Sequence, residues 1–251
     1  MLRLGLFRGS NFARRAYGSN STALKEEIDK FRNVANTWWD VNGGFKPLHS
    51  MNSLRIPFIQ DGLINSGRLK RLEYPKPLKG IHPLARLGAT VTGLDATEES
   101  IAVAKSHNVN NLNINYIFST SEKFLEENPD ASFDAIVASE VIEHVDNPEL
   151  FLKTASKLLK PNGSLFLTTV NRTRTSYLAA IIAAEYVLGI VPKGTHEWNR
   201  FRTPEEIQVM LSNCDVETRM IHGMSYNPIS NNWSWTRGTS VDYALHAVKP
   251  N

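Results

Sequence analysis

The chain has 251 residues, 41% of them hydrophobic, enough to bury one substantial core and to make a single α/β domain the default. The formal charge of +3 is set by the first 25 residues, which hold Arg3, Arg8, Arg14, Arg15 and Lys25 and no acid; the remainder carries −2, which gives no support for a nucleic-acid partner. Cys214 is the only cysteine, so an intramolecular disulfide is excluded.

Met1 to about Ser21 bears arginine and serine, lacks acids, and has Leu2, Leu4, Leu6, Phe7 and Phe12 for an apolar face. That is the composition of a mitochondrial transit peptide, with Arg14-Arg15-Ala16-Tyr17 as a processing region, and it sets residues 1–25 apart from a domain over 26–251. Leu24, Ile28, Phe31, Val34 and Ala35 recur at helical spacing. Trp38-Trp39-Asp40 and a Gly43-Gly44 turn lead to a second helix from about Pro47 to Ile64. Pro83 to Gly88 reads as the end of a helix, and Ala89 to Asp95 as a buried strand. Thr97 is placed to cap the next helix, with Glu98 and Glu99 in its first turn.

Ile114 to Phe118 and Phe133 to Ala138 read as further strands. Asn147-Pro148 opens a helix that Lys160-Pro161-Asn162-Gly163 ends, and Ser164 to Thr169 is the strand after it. This alternation predicts a parallel sheet covered on both faces, with Val216–Ile221 and Val241–Val248 as an antiparallel edge pair.

Asp95 ends its strand, at the sheet edge where ligands bind in doubly wound folds, and can accept both hydroxyls of a nucleoside ribose. A helix N-terminal acid satisfied by backbone N–H groups is the alternative. An acid in this place normally follows, by about 20 residues, a first strand and a glycine-rich turn. Here that window, Glu73 to Pro83, holds three prolines, one glycine and no β run. A nicotinamide-dependent enzyme would share Asp95 but leaves the next segment unexplained.

Glu140, Glu143 and His144 follow the fourth strand at i, i+3 and i+4, which on a helix puts them on one face. Two carboxylates and an imidazole suit magnesium or manganese, and such an ion lowers the pKa of a bound catechol hydroxyl. Without metal, His144 or Glu143 is the candidate proton acceptor. A solvated cap with a buried, hydrogen-bonded histidine is the other reading. Ser176 to Ile190 has one charge in fifteen residues, too short to cross a bilayer but suited to its interface or to a buried core.

Trp38-Trp39-Asp40, Gly43 to His49, Asn52 to Arg55, Gly88 to Asp95, Glu140 to Val145, Val191 to His196 and Tyr226-Asn227-Pro228 occur in order. Together they resemble the ubiquinone biosynthesis O-methyltransferases over nearly everything after residue 25. The resemblance implies a class I S-adenosylmethionine-dependent methyltransferase (Rossmann-like) α/β fold. It implies methyl transfer to a ring hydroxyl of 3,4-dihydroxy-5-polyprenylbenzoate and of demethylubiquinol. It assigns Arg55, Asp95 and Ser139 to the cofactor and Glu140, Glu143 and His144 to Mg2+, and makes 173–196 a lipid-contacting insert.

Further implications are a peripheral place on the matrix side of the mitochondrial inner membrane, a polyprenylated catechol as substrate, and a multi-subunit coenzyme Q biosynthetic complex as partner. A non-catalytic member of that complex is the alternative. The family's Leu-Asp-x-Gly-Cys-Gly-Gly-Gly block has no counterpart between Gly80 and His82-Pro83. Its absence predicts a sheet without its first strand and without the loop that carries the methionine end of the cofactor.

Overall fold

A computed structural model describes residues 3–8, 21–68, 83–86, 88–108, 112–178 and 197–251. Eight strands, β1 (Arg3–Arg8), β2 (Thr90–Asp95), β3 (Ile114–Phe118), β4 (Phe133–Ser139), β5 (Leu159–Val170), β6 (Glu217–Asn227), β7 (Asn232–Thr236) and β8 (Asp242–Val248), form one sheet in the order β3-β2-β1-β4-β5-β8-β6-β7. The first five run parallel, while β8, β6 and β7 add on antiparallel. The helices are α1 (Lys25–Val34), α2 (Lys46–Asn65), α3 (Pro83–Arg86), α4 (Glu98–Ser106), α5 (Ser121–Glu127), α6 (Pro148–Leu158), α7 (Arg174–Ser176) and α8 (Pro204–Ser212).

The sheet has a strand at its centre, which corrects the expectation that the first strand is missing. β1 runs parallel between β2 and β4, with Leu4 opposite Val91 on one side and Ala135 on the other, and Arg8 opposite Asp95. Residues 3–8 of the segment set apart as a leader thus belong to the sheet. Four uncharged residues between Arg3 and Arg8 are long enough for a short strand, and arginine at each end drew the reading towards a targeting sequence. Residues 73–82, the expected place of the strand and glycine loop, lie outside the described residues, as do 9–20, which follow β1.

Other local expectations hold with small shifts. Asn147 caps α6 by accepting from the Leu150 N–H at 2.9 Å, with Pro148 in the first turn. Thr97 stands at the N-cap of α4, but its side chain makes no capping bond. The antiparallel pair near the C-terminus forms, and β7 extends it beyond β6. Asn232 to Thr236 is five residues between turns, too short to show a period in the sequence.

Alternate residues of β4 face opposite sides. Ile136 and Ala138 join a core with Phe151, Leu152, Leu158, Ile207 and Leu211 from α6 and α8. Ala135 and Val137 join a second core with Met51, Ile59 and Leu63 from α2 and with Phe166. Helix α2 lies so close to the sheet that a Cβ on Gly62 would come within 2.4 Å of the Phe166 ring. That contact fixes the depth of the helix that carries Arg55.

Candidate active site at the carboxyl edge of the sheet

β2, β4 and β5 reach the same edge of the sheet, where Asp95, Ser139 and Thr168 stand. Asp95, 5% exposed, closes β2, and its Oδ1 accepts the Thr97 N–H at 2.7 Å. One carboxylate oxygen thus does what a helix N-terminal acid does, in a position that also suits a ribose.

At the end of β4, the Ser139 hydroxyl takes a hydrogen bond from the Arg55 guanidinium of α2 and lies 2.6 Å from Thr168 Oγ1 of β5. Arg55 is itself braced by Asn52, to whose Oδ1 its Nε donates at 3.1 Å. Thr168 Oγ1 donates to Glu140 Oε1 at 2.7 Å. Arg55, Ser139, Thr168 and Glu140 therefore form one connected chain. The sequence reading anticipated three of them, and Thr168 is the link it lacked.

The single helical face proposed for Glu140, Glu143 and His144 is not formed. Glu140 has φ +53° and its N–H bonds Thr168 O at 2.9 Å, so pairing with β5 continues one residue past β4. A 3-10 turn then covers only Ile142–His144. A non-glycine residue in the left-handed region is unusual and marks a place that its surroundings over-determine. Glu140 consequently faces Arg55 and Thr168, whereas Glu143 and His144 look to other partners.

Glu143 is buried, and its Oε2 accepts from Thr169 Oγ1 at 2.7 Å. His144 Nε2 lies 3.9 Å from Glu143 Oε1, and its Nδ1 lies 2.7 Å from Glu27 Oε2. Burial raises the Glu140 carboxyl well above the usual range, and the charges of Glu143 and Asp242 add to the rise against the Thr168 bond and Arg55. Asp242, which opens β8, is pushed up to about 7 by burial and by Glu143. Sequence reasoning missed Asp242 and Glu27. Each looked like an ordinary acid at the start of its element.

Among the described residues no three His, Cys, Asp or Glu side chains are drawn together as a metal cage. In kind, the two carboxylates and the imidazole of Glu140, Glu143 and His144 suit a hard divalent ion.

Residues 79–167 match the model of a methyltransferase domain. The chain is 41% identical to the rat mitochondrial ubiquinone biosynthesis O-methyltransferase, over 99% of this chain and 76% of that protein. The chain belongs to the ubiquinone biosynthesis O-methyltransferase family. It is similarly 40% identical to the human mitochondrial enzyme, across 94% of this chain and 68% of that one, and 38% identical to the one from Pelagibacter ubique, across 90% and 98%.

A solved S-adenosylmethionine-dependent methyltransferase from Thermotoga maritima, described as a possible histamine N-methyltransferase, is 16% identical with a TM-score of 0.54, covering 88% of this chain and 97% of that one. That likeness concerns the fold. As a member of this family the protein is a methyltransferase enzyme, and the fold explains why distant family fragments go together. Trp233 Nε1 donates to Pro47 O at 2.8 Å, and Ser50 Oγ donates to Asn231 Oδ1 at 3.1 Å. These bonds join the start of α2 to the β6–β7 hairpin that contains Tyr226-Asn227-Pro228. The Val191 to His196 fragment and most of the apolar insert lie outside the described residues. The ends of that segment meet where Trp198 Nε1 donates to Thr173 O at 3.1 Å.

Proposed function

We propose that this protein transfers a methyl group from S-adenosylmethionine to a ring hydroxyl of 3,4-dihydroxy-5-polyprenylbenzoate and of demethylubiquinol in ubiquinone biosynthesis. The observation that carries this reading is that Asp95, ending β2, and the Arg55–Ser139 pair, at the end of β4, stand at the same edge of the sheet, as do His144 and Glu143 just after β4. When bound, S-adenosylmethionine supplies an electrophilic methyl group on a sulfonium. Asp95 takes the ribose hydroxyls, and Arg55 with Ser139 lines the cofactor side of the site.

The catechol hydroxyl must lose its proton to become the nucleophile. His144 Nε2 and Glu143 Oε1 are the groups placed to hold or accept that proton. A magnesium ion would be held by Glu140, Glu143 and His144 and would supply Lewis acidity that lowers the hydroxyl pKa. No step here depends on it.

The names of the rat and human relatives place those proteins in mitochondria, and the acid-free arginine-bearing start of this chain suits the same address. We place the protein on the matrix side of the inner membrane as a peripheral protein of the coenzyme Q biosynthetic complex, with residues 173–196 on the lipid. Among the described residues no helix is long and apolar enough to cross a membrane. Import and folding make opposite demands on one segment, because β1 is retained only if processing spares residues 3–8.

The test is calorimetric titration of the whole chain with S-adenosylmethionine, beside Asp95→Asn. Asparagine keeps an oxygen for the Thr97 N–H and removes the charge. The reading expects at least tenfold weaker binding with unchanged thermal stability, and equal affinity in the two proteins would overturn it.

A further inference from the structure

Helix α1 carries Glu27, Lys30 and Phe31 at i, i+3 and i+4, which puts all three on one face. That face meets His144. Phe31 packs edge-on against the imidazole with ring centroids 5.1 Å apart. Lys30 Nζ donates to Glu27 Oε1 at 2.9 Å, which leaves Oε2 for His144 Nδ1 at 2.7 Å. Glu27 is 3% exposed and His144 9%.

The backbone next to this contact is fastened as well. Ala23 bridges Val145 in antiparallel fashion, and the Asp146 N–H donates to Thr22 O at 2.8 Å. The first turn of α1 is therefore fixed over the 3-10 turn that holds His144.

We infer that Glu27 is the positioning residue for His144: its Oε2 accepts the Nδ1 proton, fixing the ring with Nε2 turned towards Glu143. The Lys30 ammonium, 2.9 Å from Oε1, keeps the Glu27 carboxylate charged, and an ionised carboxylate has no proton to give, so Nδ1 is the donor in this bond. Neutral imidazole has one N–H, and with that at Nδ1 the other nitrogen is an acceptor. The inference rests on the site proposed above and gives Nε2 the same form whether it binds an ion or takes a proton. Partners of this kind set the orientation and basicity of a ligating or catalytic histidine, and their loss commonly costs about 10–100-fold in metal affinity or activity.

The deciding measurement is the His144 tautomer in the cofactor-free protein, read at pH 8.5 from two-bond proton–nitrogen correlations of 15N-histidine-labelled whole chain. Wild type is expected to show Nδ1–H with an unprotonated Nε2. Glu27→Leu should lose that preference and give averaged nitrogen shifts, whereas Glu27→Gln, which keeps a carbonyl oxygen at the same reach, should retain it. Thermal unfolding checks that each variant is folded. Should the leucine variant not fold, wild type and glutamine decide the matter by themselves.

A wild-type ring protonated at Nε2, or a folded leucine variant with an unchanged tautomer, overturns the inference. Titration with Mn2+ alone supplies the second readout. Affinity should fall at least tenfold in Glu27→Leu and less than threefold in Glu27→Gln, and equal affinity in all three proteins counts against the inference. If wild type binds no Mn2+, the proposed ion is wrong while the tautomer result still stands on its own.

Discussion

Arg55 reaches from helix α2 to the end of β4 and donates to the hydroxyl of Ser139, so two residues 84 positions apart are joined at the carboxyl edge of the sheet. The guanidinium is held for this contact by Asn52, and the helix is held by the tight approach of Gly62 to Phe166. A charge-assisted bond from Arg55 to the cofactor would be worth roughly 1.5–3 kcal/mol, about 10–100-fold in affinity, and Arg55→Ala would remove it. S-adenosylmethionine binding should weaken by that factor. Unchanged binding would remove Arg55 from the site.

Glu143→Ala and His144→Ala should each lower turnover by about a hundredfold or more, the scale of losing a positioned acid or base. Excess magnesium should restore only part of it, since Glu143 also accepts from Thr169 and its loss leaves that buried hydroxyl unpaired. Turnover assays with and without chelator make the check. Full activity in both variants, chelated or not, would sink the assignment of these residues.

Much of this arrangement is legible in the sequence because it follows from strand ends. Asp95 and Ser139 each close an apolar run that reads as a parallel strand, and the carboxyl edge is where such residues meet ligand. What escaped reading depends on tertiary partners. Glu140 does not join a helix because its N–H is taken by Thr168 of β5, a bond that spacing cannot show. Glu27 meets His144 across 117 positions. β1 escaped for a different reason: a short strand bounded by arginines at the start of a chain has the same composition as a targeting peptide.

That strand gives a direct test of the fold. Leu6 stands opposite Gly93 and Val137, in the middle of two ladders. Leu6→Pro removes an N–H from a central strand, where proline is not tolerated. For a chain of this size about 1 kcal/mol shifts the melting temperature by roughly 2–4 °C, so a fall of several degrees is expected. Deleting residues 1–8 should do more, because β2 and β4 both lose their partner. Inserting the family's glycine block after Gly80 should tighten S-adenosylmethionine binding about a hundredfold, for a gain of about 3 kcal/mol. Equal affinity with and without the block would mean that another segment already does its work.

His246 sets an acid limit on stability. Its ring stacks on Phe166 at 4.5 Å, its Nε2 lies 3.1 Å from Ser164 Oγ, and burial, with the charge of Arg219, lowers its pKa from 6.5 to about 4. The unfolded chain takes up this proton below about pH 6.5 and the folded protein only near 4. Its contribution is therefore complete above 6.5 and is lost as pH falls from 6.5 to 4. Melting temperature against pH should decline over that window and decline less in His246→Leu. Identical profiles would show that His246 does not titrate between the two states.

Methyl transfer to a catechol is the property on which the proposed function turns. The whole chain, incubated with methyl-labelled S-adenosylmethionine, Mg2+ and a short-chain prenylated 3,4-dihydroxybenzoate, is followed by mass spectrometry for label on a ring hydroxyl. The account predicts a singly O-methylated product from the wild-type chain and at least a tenfold slower appearance with Asp95→Asn at limiting cofactor. A folded wild-type protein that binds S-adenosylmethionine but leaves the catechol unmethylated, or methylates it equally fast with Asp95→Asn, would contradict it.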